Sequence, residues 1–281
     1  MVETFSRYFT TNDGVRIHYL EAGDGPPLIL LPGWTQPASG FAEQLAVLSK
    51  RHRCLALDPR CHGESEQVTY GPRVARLAKD CFELLEHLEI DRASLLGHSS
   101  GCAVIWSLIE LFGQDRIRSL VLSDQMAAFI KRPEWTEQQL ADYGALMDAS
   151  EALATAAKIE APDGAATLKD FLEGEFASDF PPEKVAKVVD GSSRVPRDFA
   201  AALMRDVMQA DFRDVLPRIE RPTLCIGGLG SHVGERPMRW IASQIPQAEL
   251  VMIEAQHFVH LENPEAFNAA VGEFLDRLPS T

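Results

Sequence analysis

The segment Leu95-Leu96-Gly97-His98-Ser99-Ser100-Gly101-Cys102-Ala103 sets a serine between two glycines in a G-x-S-x-G pattern. A serine hydroxyl is a weak nucleophile until an adjacent imidazole takes its proton, and that imidazole works best when a carboxylate fixes its tautomer. The setting gives the pattern its meaning: a short apolar run, Ala93 to Leu96, precedes it, and an amphipathic stretch, Val104 to Phe112, follows it. A strained strand-to-helix turn needs glycines on both flanks so that the backbones can approach closely and the serine can stand clear. The helix N-terminus beyond it favours developing negative charge. Outside such a setting the same pattern is an ordinary Gly/Ser turn.

The elements that would carry this turn are legible as strands alternating with helices. Val15 to Leu20 alternates in polarity, while Pro27 to Leu31, Cys54 to Leu57, Ala93 to Leu96 and Ser119 to Leu122 are short apolar runs suited to strands buried on both faces of a parallel sheet. Helical periodicity falls on Phe41 to Ser49 and on Val74 to Leu88, where Leu77, Cys81, Leu84, Leu85 and Leu88 share one face. From about Ala127 to Ala210 the alternation breaks into a helix-like stretch interrupted by Pro133, Pro162, Pro181, Pro182 and Pro196, with no clear strand. It resumes with Thr223 to Ile226, a helix near Arg236 to Gln244, the strand Glu249 to Ile253 and a helix from Pro264 to Leu278, started by Asn263-Pro264. This is the alternation of an α/β doubly wound fold.

Composition narrows the class. The chain has 281 residues and a formal charge of −14, from 41 acidic against 27 basic side chains, with no Lys/Arg-rich stripe to neutralise a phosphate backbone. Nucleic acid and anionic membrane are therefore poor partners. The N-terminus lacks a signal-peptide pattern and no stretch is long enough to span a bilayer, so a cytoplasmic location is expected. Five scattered cysteines, with no C-x-x-C pair, read mostly as reduced core residues.

From about Phe9 to its end the chain resembles the α/β-hydrolase fold family. The resemblance rests on Leu31-Pro32-Gly33-Trp34 after the third strand, Asp58-Pro59-Arg60-Cys61-His62-Gly63-Glu64-Ser65 after the fourth, the serine turn, and Gln256-His257-Phe258 near the end. It implies a mostly parallel eight-stranded sheet with helices on both faces and a helical cap inserted after the sixth strand, with residues 1–125 and 211–281 forming the core and 126–210 the cap. These signposts speak to the fold much more than to the substrate.

The family's pattern makes Ser99 the nucleophile and His257 the general base, with His260 the competitor three residues on. His62 is then a structural histidine and His98 packs under the serine turn. The acid usually follows the seventh strand, but here Cys225-Ile226-Gly227-Gly228-Leu229-Gly230-Ser231-His232 has no carboxylate until Glu235. The family's other position, the tip of the sixth strand, holds Asp124, which is therefore the expected acid, with Glu235 in reserve. A competing reading makes Asp124 a helix cap at the cap entrance. The backbone N–H groups of Trp34 and Ser100 are the expected oxyanion donors, although relatives usually have His-Gly where Pro32-Gly33 stands. Trp34 and His98 are also expected to touch substrate.

The expected chemistry is hydrolysis of a carboxylic ester or lactone through an acyl-enzyme. The expected partner is a small apolar molecule under an apolar lid drawn from Phe129, Trp135, Tyr143, Leu146, Met147, Phe171, Phe176 and Phe180, with a homodimer left open. No metal or cofactor is expected, because His257-x-x-His260 lacks an identifiable third ligand. A second class is open. The chain is also similar to the cofactor-independent 3-hydroxy-4-oxoquinoline 2,4-dioxygenases, in which a His/Asp dyad deprotonates the substrate for reaction with dioxygen. Those enzymes tend to carry a further histidine after the serine, where this chain has Ser100. A binding protein on the same fold is the third.

Overall fold

The computed structural model describes residues 3–145 and 147–278, so that Leu146 lies outside it. The apolar runs become strands of one eight-stranded sheet: β1 (Thr4–Thr10), β2 (Arg16–Ala22), β3 (Pro27–Leu31), β4 (Arg53–Leu57), β5 (Ala93–His98), β6 (Ile117–Ser123), β7 (Thr223–Gly228) and β8 (Ala248–Ile253). Their order across the sheet is β1-β2-β4-β3-β5-β6-β7-β8. β1 runs antiparallel to β2, and β2 antiparallel to β4. The remaining neighbours are parallel. Strand β5, buried along its whole length, lies mid-sheet between β3 and β6, so its C-terminal end opens where the turns after both neighbours converge.

Helices cover both faces, as period-3.6 apolar stripes require. Those before the cap are α1 (Ala42–Leu48), α2 (Val74–His87) and α3 (Ser100–Phe112). Between β6 and β7 lie five helices, α4 (Glu137–Tyr143), α5 (Ala149–Glu160), α6 (Gly164–Glu173), α7 (Pro182–Ser192) and α8 (Arg197–Gln209). They are followed by α9 (Glu235–Gln244), the short α10 (Val259–Glu262) and α11 (Pro264–Asp276). One apolar cluster joins the sheet to Leu77 and Leu84 of α2 and Trp106 of α3, and continues into the cap through Phe199 and Met204. A second packs Leu45 of α1 with Phe267 and Phe274 of α11 on the other face. Each large side chain so buried contributes roughly 1.5–3 kcal/mol.

The cap prolines act as start signals. Pro182 opens α7, Pro196 caps α8, and their fixed φ suits a position whose N–H would be unsatisfied in any case. The five cysteines are buried with free thiols. Among the described residues no helix is long and apolar enough to cross a membrane.

Candidate active site

Ser99 stands between the end of β5 and the start of α3, with φ 52° and ψ −125°, a conformation rare for a residue with a side chain. The flanking glycines are there because no side chain fits. A Cβ on Gly97 would come within 2.6 Å of Gly101, and one on Gly101 within 2.2 Å of the Leu31 carbonyl oxygen. The Ser99 N–H donates to the Ser123 carbonyl at 2.9 Å, which ties the turn to the end of β6. The strained serine is held by the sheet on one side and by close backbone contact on the other.

Beyond β6, Asp124 also has a positive φ of 52° and is fully buried. Its own N–H donates to the Ile226 carbonyl at 2.8 Å, which fixes the backbone and turns the carboxylate toward the loop after β8. There His257 Nδ1–H donates to Asp124 Oδ2 at 2.7 Å, and His257 Nε2 stands 3.0 Å from Ser99 Oγ. A carboxylate can only accept, so it sets the tautomer and leaves the Nε2 lone pair facing the serine. Burial disfavours a charged His257, but the Asp124 hydrogen bond and charge outweigh it, with Glu175 and Glu262 adding, and its pKa lies above the ordinary imidazole value. The site therefore strengthens this imidazole as a proton acceptor.

The other candidates are placed apart from that chain of hydrogen bonds. Glu235 opens α9 on the surface, paired with Arg239. His260 is buried against His98 and the Phe41 ring, and burial together with His98 and His257 holds it well below the usual pKa. His62 is buried and donates from Nδ1 to the Arg60 carbonyl at 2.8 Å. His98 packs under the turn, donating from Nε2 to the His257 carbonyl at 2.9 Å. Burial, then the neighbouring His257, lowers its pKa to about 3, so it stays neutral beside His257.

Gly33, Trp34, Ser99 and Ser100 line one cleft of about 590 Å³, counted with the open space at its mouth, and the floor includes His98 and His257. Trp34 walls it and donates from Nε1 to the Ala200 carbonyl of α8 at 2.8 Å, so the indole also fastens the loop after β3 to the cap. Phe129 and Phe171 line the cleft as the apolar pattern of the cap suggests, joined by Met204, Val207 and Met208 of α8. Trp135 and Tyr143 do not; they pack on each other, and Tyr143 on Trp240 of α9. Phe176 stacks between Phe180 and Phe258.

Four residues of the site carry no sequence signal. Ser231 donates its hydroxyl to Asp124 Oδ2, and the Gly228 N–H donates to Oδ1 at 2.8 Å, so the acid is held at both oxygens. His232, next in the chain, donates from Nδ1 to Glu175 Oε2 at 2.7 Å. Glu175 comes from the cap just after α6, some 57 residues away, and its carbonyl accepts the His257 N–H at 3.3 Å. A carboxylate and an imidazole brought together from separate loops leave no periodicity to read.

Sequence and fold comparisons agree on the class. The alpha/beta hydrolase fold family matches residues 26–264, and the chain belongs to that family. It is similar to a non-heme chloroperoxidase of Kitasatospora aureofaciens, at 28% identity over 95% of this chain and 98% of the other. It is also similar to 3-oxoadipate enol-lactonase 2 of Acinetobacter baylyi, at 26% identity over 95% and 96% respectively. Among solved structures, a hydrolase from Pseudomonas aeruginosa superposes with a TM-score of 0.81 at 31% identity, covering 96% of this chain and 98% of that one.

Proposed function

We propose that the protein is a serine hydrolase that opens a carboxylic ester or lactone through an acyl-enzyme on Ser99. The observation that carries this reading is the unbroken line from Ser99 Oγ through His257 to Asp124, its serine end facing a cleft with an apolar wall. An enol-lactonase among the full-length relatives supports it.

Ser99 Oγ attacks the carbonyl carbon while His257 Nε2 takes its proton. The carbonyl oxygen becomes an oxyanion, met by the backbone N–H groups of Trp34 and Ser100 at the head of α3, and such donors are commonly the largest single catalytic contribution. His257 returns the proton to the departing alcohol oxygen, which leaves an acyl ester on Ser99. Water then attacks that ester, gives its proton to His257, and releases the acid and the serine. Asp124 holds the imidazole throughout and compensates its transient charge. The cap excludes water and takes the apolar part of the substrate.

A fluorophosphonate probe with mass analysis, run beside a p-nitrophenyl acetate assay, tests this. The expected result is one adduct, on Ser99, and ester turnover that Ser99→Ala abolishes and Asp124→Asn lowers by about 10⁴-fold, as loss of the correct tautomer does in serine hydrolases. Absence of both adduct and turnover, with oxygen uptake on a 3-hydroxy-4-oxoquinoline, would overturn it.

A further inference from the structure

Glu175 and His232 face the cleft beside His257, yet acyl transfer uses neither. The His232 and His257 ring centroids lie 4.7 Å apart, and one donor atom from each of Glu175, His232 and His257 lies within 4.8 Å of the other two. Two imidazoles and a carboxylate are a donor set that suits zinc and its neighbours, and three protein ligands with an open fourth position are a common arrangement for that ion.

We propose that Glu175, His232 and His257 bind one divalent transition-metal ion of the zinc type, and that the bound ion holds the hydrolase off. The second half rests on the reading of His257 as the base for Ser99. His257 is already prepared as a ligand: its Nδ1–H donates to the buried Asp124, the same outer carboxylate that orients metal-bound histidines and leaves Nε2 as the donor. Bonds of about 2.0–2.1 Å in a tetrahedron put donor atoms about 3.3 Å apart, so Glu175 and His232, now 2.7 Å apart, open slightly while the set, within 4.8 Å, closes around the ion. The His232 side chain is 36% exposed, and it opens its Nδ1 as a ligand by moving that proton to Nε2. No net proton leaves the pair. A chain of charge −14 also concentrates cations near its surface.

Such an ion does two things at once. It occupies the Nε2 lone pair that would accept the Ser99 proton, and it joins Glu175 of the cap to His232 and His257 of the core, closing one side of the cleft. Hydrolysis then stops without any change at Ser99, and a chelator restores it.

The test uses the full chain stripped with chelator. Calorimetric titration with zinc chloride is expected to give one ion per chain for the wild type and for Ser99→Ala, which has no turnover to report. Affinity is expected to weaken by about 10–100-fold or more in both His232→Gln and Glu175→Gln, a loss at least as large as outer-partner mutations produce. Cobalt(II) should give the wild type visible d–d absorption that both variants lose. Fluorophosphonate labelling of Ser99 should slow in step with zinc occupancy and recover on chelation, each variant being compared with its own metal-free rate. Absence of stoichiometric binding by the wild type, or equal binding by both variants, would overturn the site. Stoichiometric zinc with an unchanged labelling rate would overturn the switch. A wild type that binds zinc but is never labelled, even metal-free, would instead remove the reading of Ser99 as nucleophile, and the switch with it.

Discussion

Asp124 carries more hydrogen bonds than orienting one imidazole requires. Its Oδ2 accepts from both His257 and Ser231, and its Oδ1 from the Gly228 N–H. A buried carboxylate with a single partner could rotate away from the ring; three donors, from the end of β7 and from two loops, leave it one orientation. The Ser231 hydroxyl in turn accepts from the Val233 N–H at 3.1 Å, so the serine is itself fixed. On the proposed reading of His257 as base and Asp124 as its acid, Ser231 is therefore a positioning residue, acting on the base through the acid. Removing one such donor costs roughly 1–2 kcal/mol, since the group left behind is buried and partly unsatisfied. Ser231→Ala is expected to lower kcat by about tenfold while KM stays within about twofold, because the loss falls on the transition state. Ser231→Thr, which keeps the hydroxyl, should recover most of the rate. Steady-state kinetics on a p-nitrophenyl ester decides it, and an unchanged kcat in Ser231→Ala would show that His257 and Gly228 suffice to hold the acid.

At the scale of elements, the turn from β5 to α3 depends on the strand next door. Gly101 leaves no room for a methyl group because the Leu31 carbonyl oxygen, at the end of β3, lies where its Cβ would be. Gly101→Ala is thus expected to push α3 off β3 and to disturb the Gly33-Trp34 loop that follows. Overpacking of this kind costs about 1–3 kcal/mol. On the proposed reading, the same displacement separates the Ser100 and Trp34 backbone donors, so ester turnover per folded molecule should fall by more than tenfold. Thermal unfolding and an assay on the same sample check both. Wild-type turnover in a stable Gly101→Ala protein would show that the loop adjusts.

This turn was legible in the sequence because two glycines and an apolar run are local signals. Strand β1 was not named from its own residues, since all but one of its positions are exposed and no buried face marks it. Asp124 was within reach only because the loop after β7 lacks a carboxylate before Glu235. Ser231 in that same loop leaves no such mark in the sequence, for a serine's role as donor to a carboxylate shows only in three dimensions. The apolar lid was half legible: composition marks the cap aromatics, but helix packing decides that Phe171 faces the cleft while Trp135 turns to Tyr143.

For the whole molecule, the strongest polar fastening lies away from the cleft. Arg60, in the loop after β4, is fully buried and forms a two-pronged pair with Asp80 of α2, at 2.7 Å from both Nε and Nη2. Its Nη1 also reaches Asp13 of the β1–β2 turn at 3.0 Å, so one guanidinium ties together three distant parts of the chain. Surface pairs such as Arg218–Asp214, whose side chains are 57% and 73% exposed, are worth only about 0–1 kcal/mol in water. A buried pair behaves differently, because deleting one partner strands the other charge at a cost of about 3–5 kcal/mol. The two deletions are unequal here. In Arg60→Met, Asp80 keeps Arg76 at 2.6 Å, which places the loss near the lower end, about 3 kcal/mol. In Asp80→Leu the guanidinium keeps Asp13, whose side chain is 27% exposed, and the half-exposed Tyr70 ring, and the loss should approach about 5 kcal/mol. Denaturant unfolding should therefore rank the variants Asp80→Leu, Arg60→Met and Arg218→Met from least to most stable. Turnover per folded molecule should stay constant across the three, since none of these residues lines the cleft. Equal stability of Arg60→Met and Arg218→Met would mean that apolar packing, and not this ion pair, holds α2 and the β1–β2 turn to the sheet.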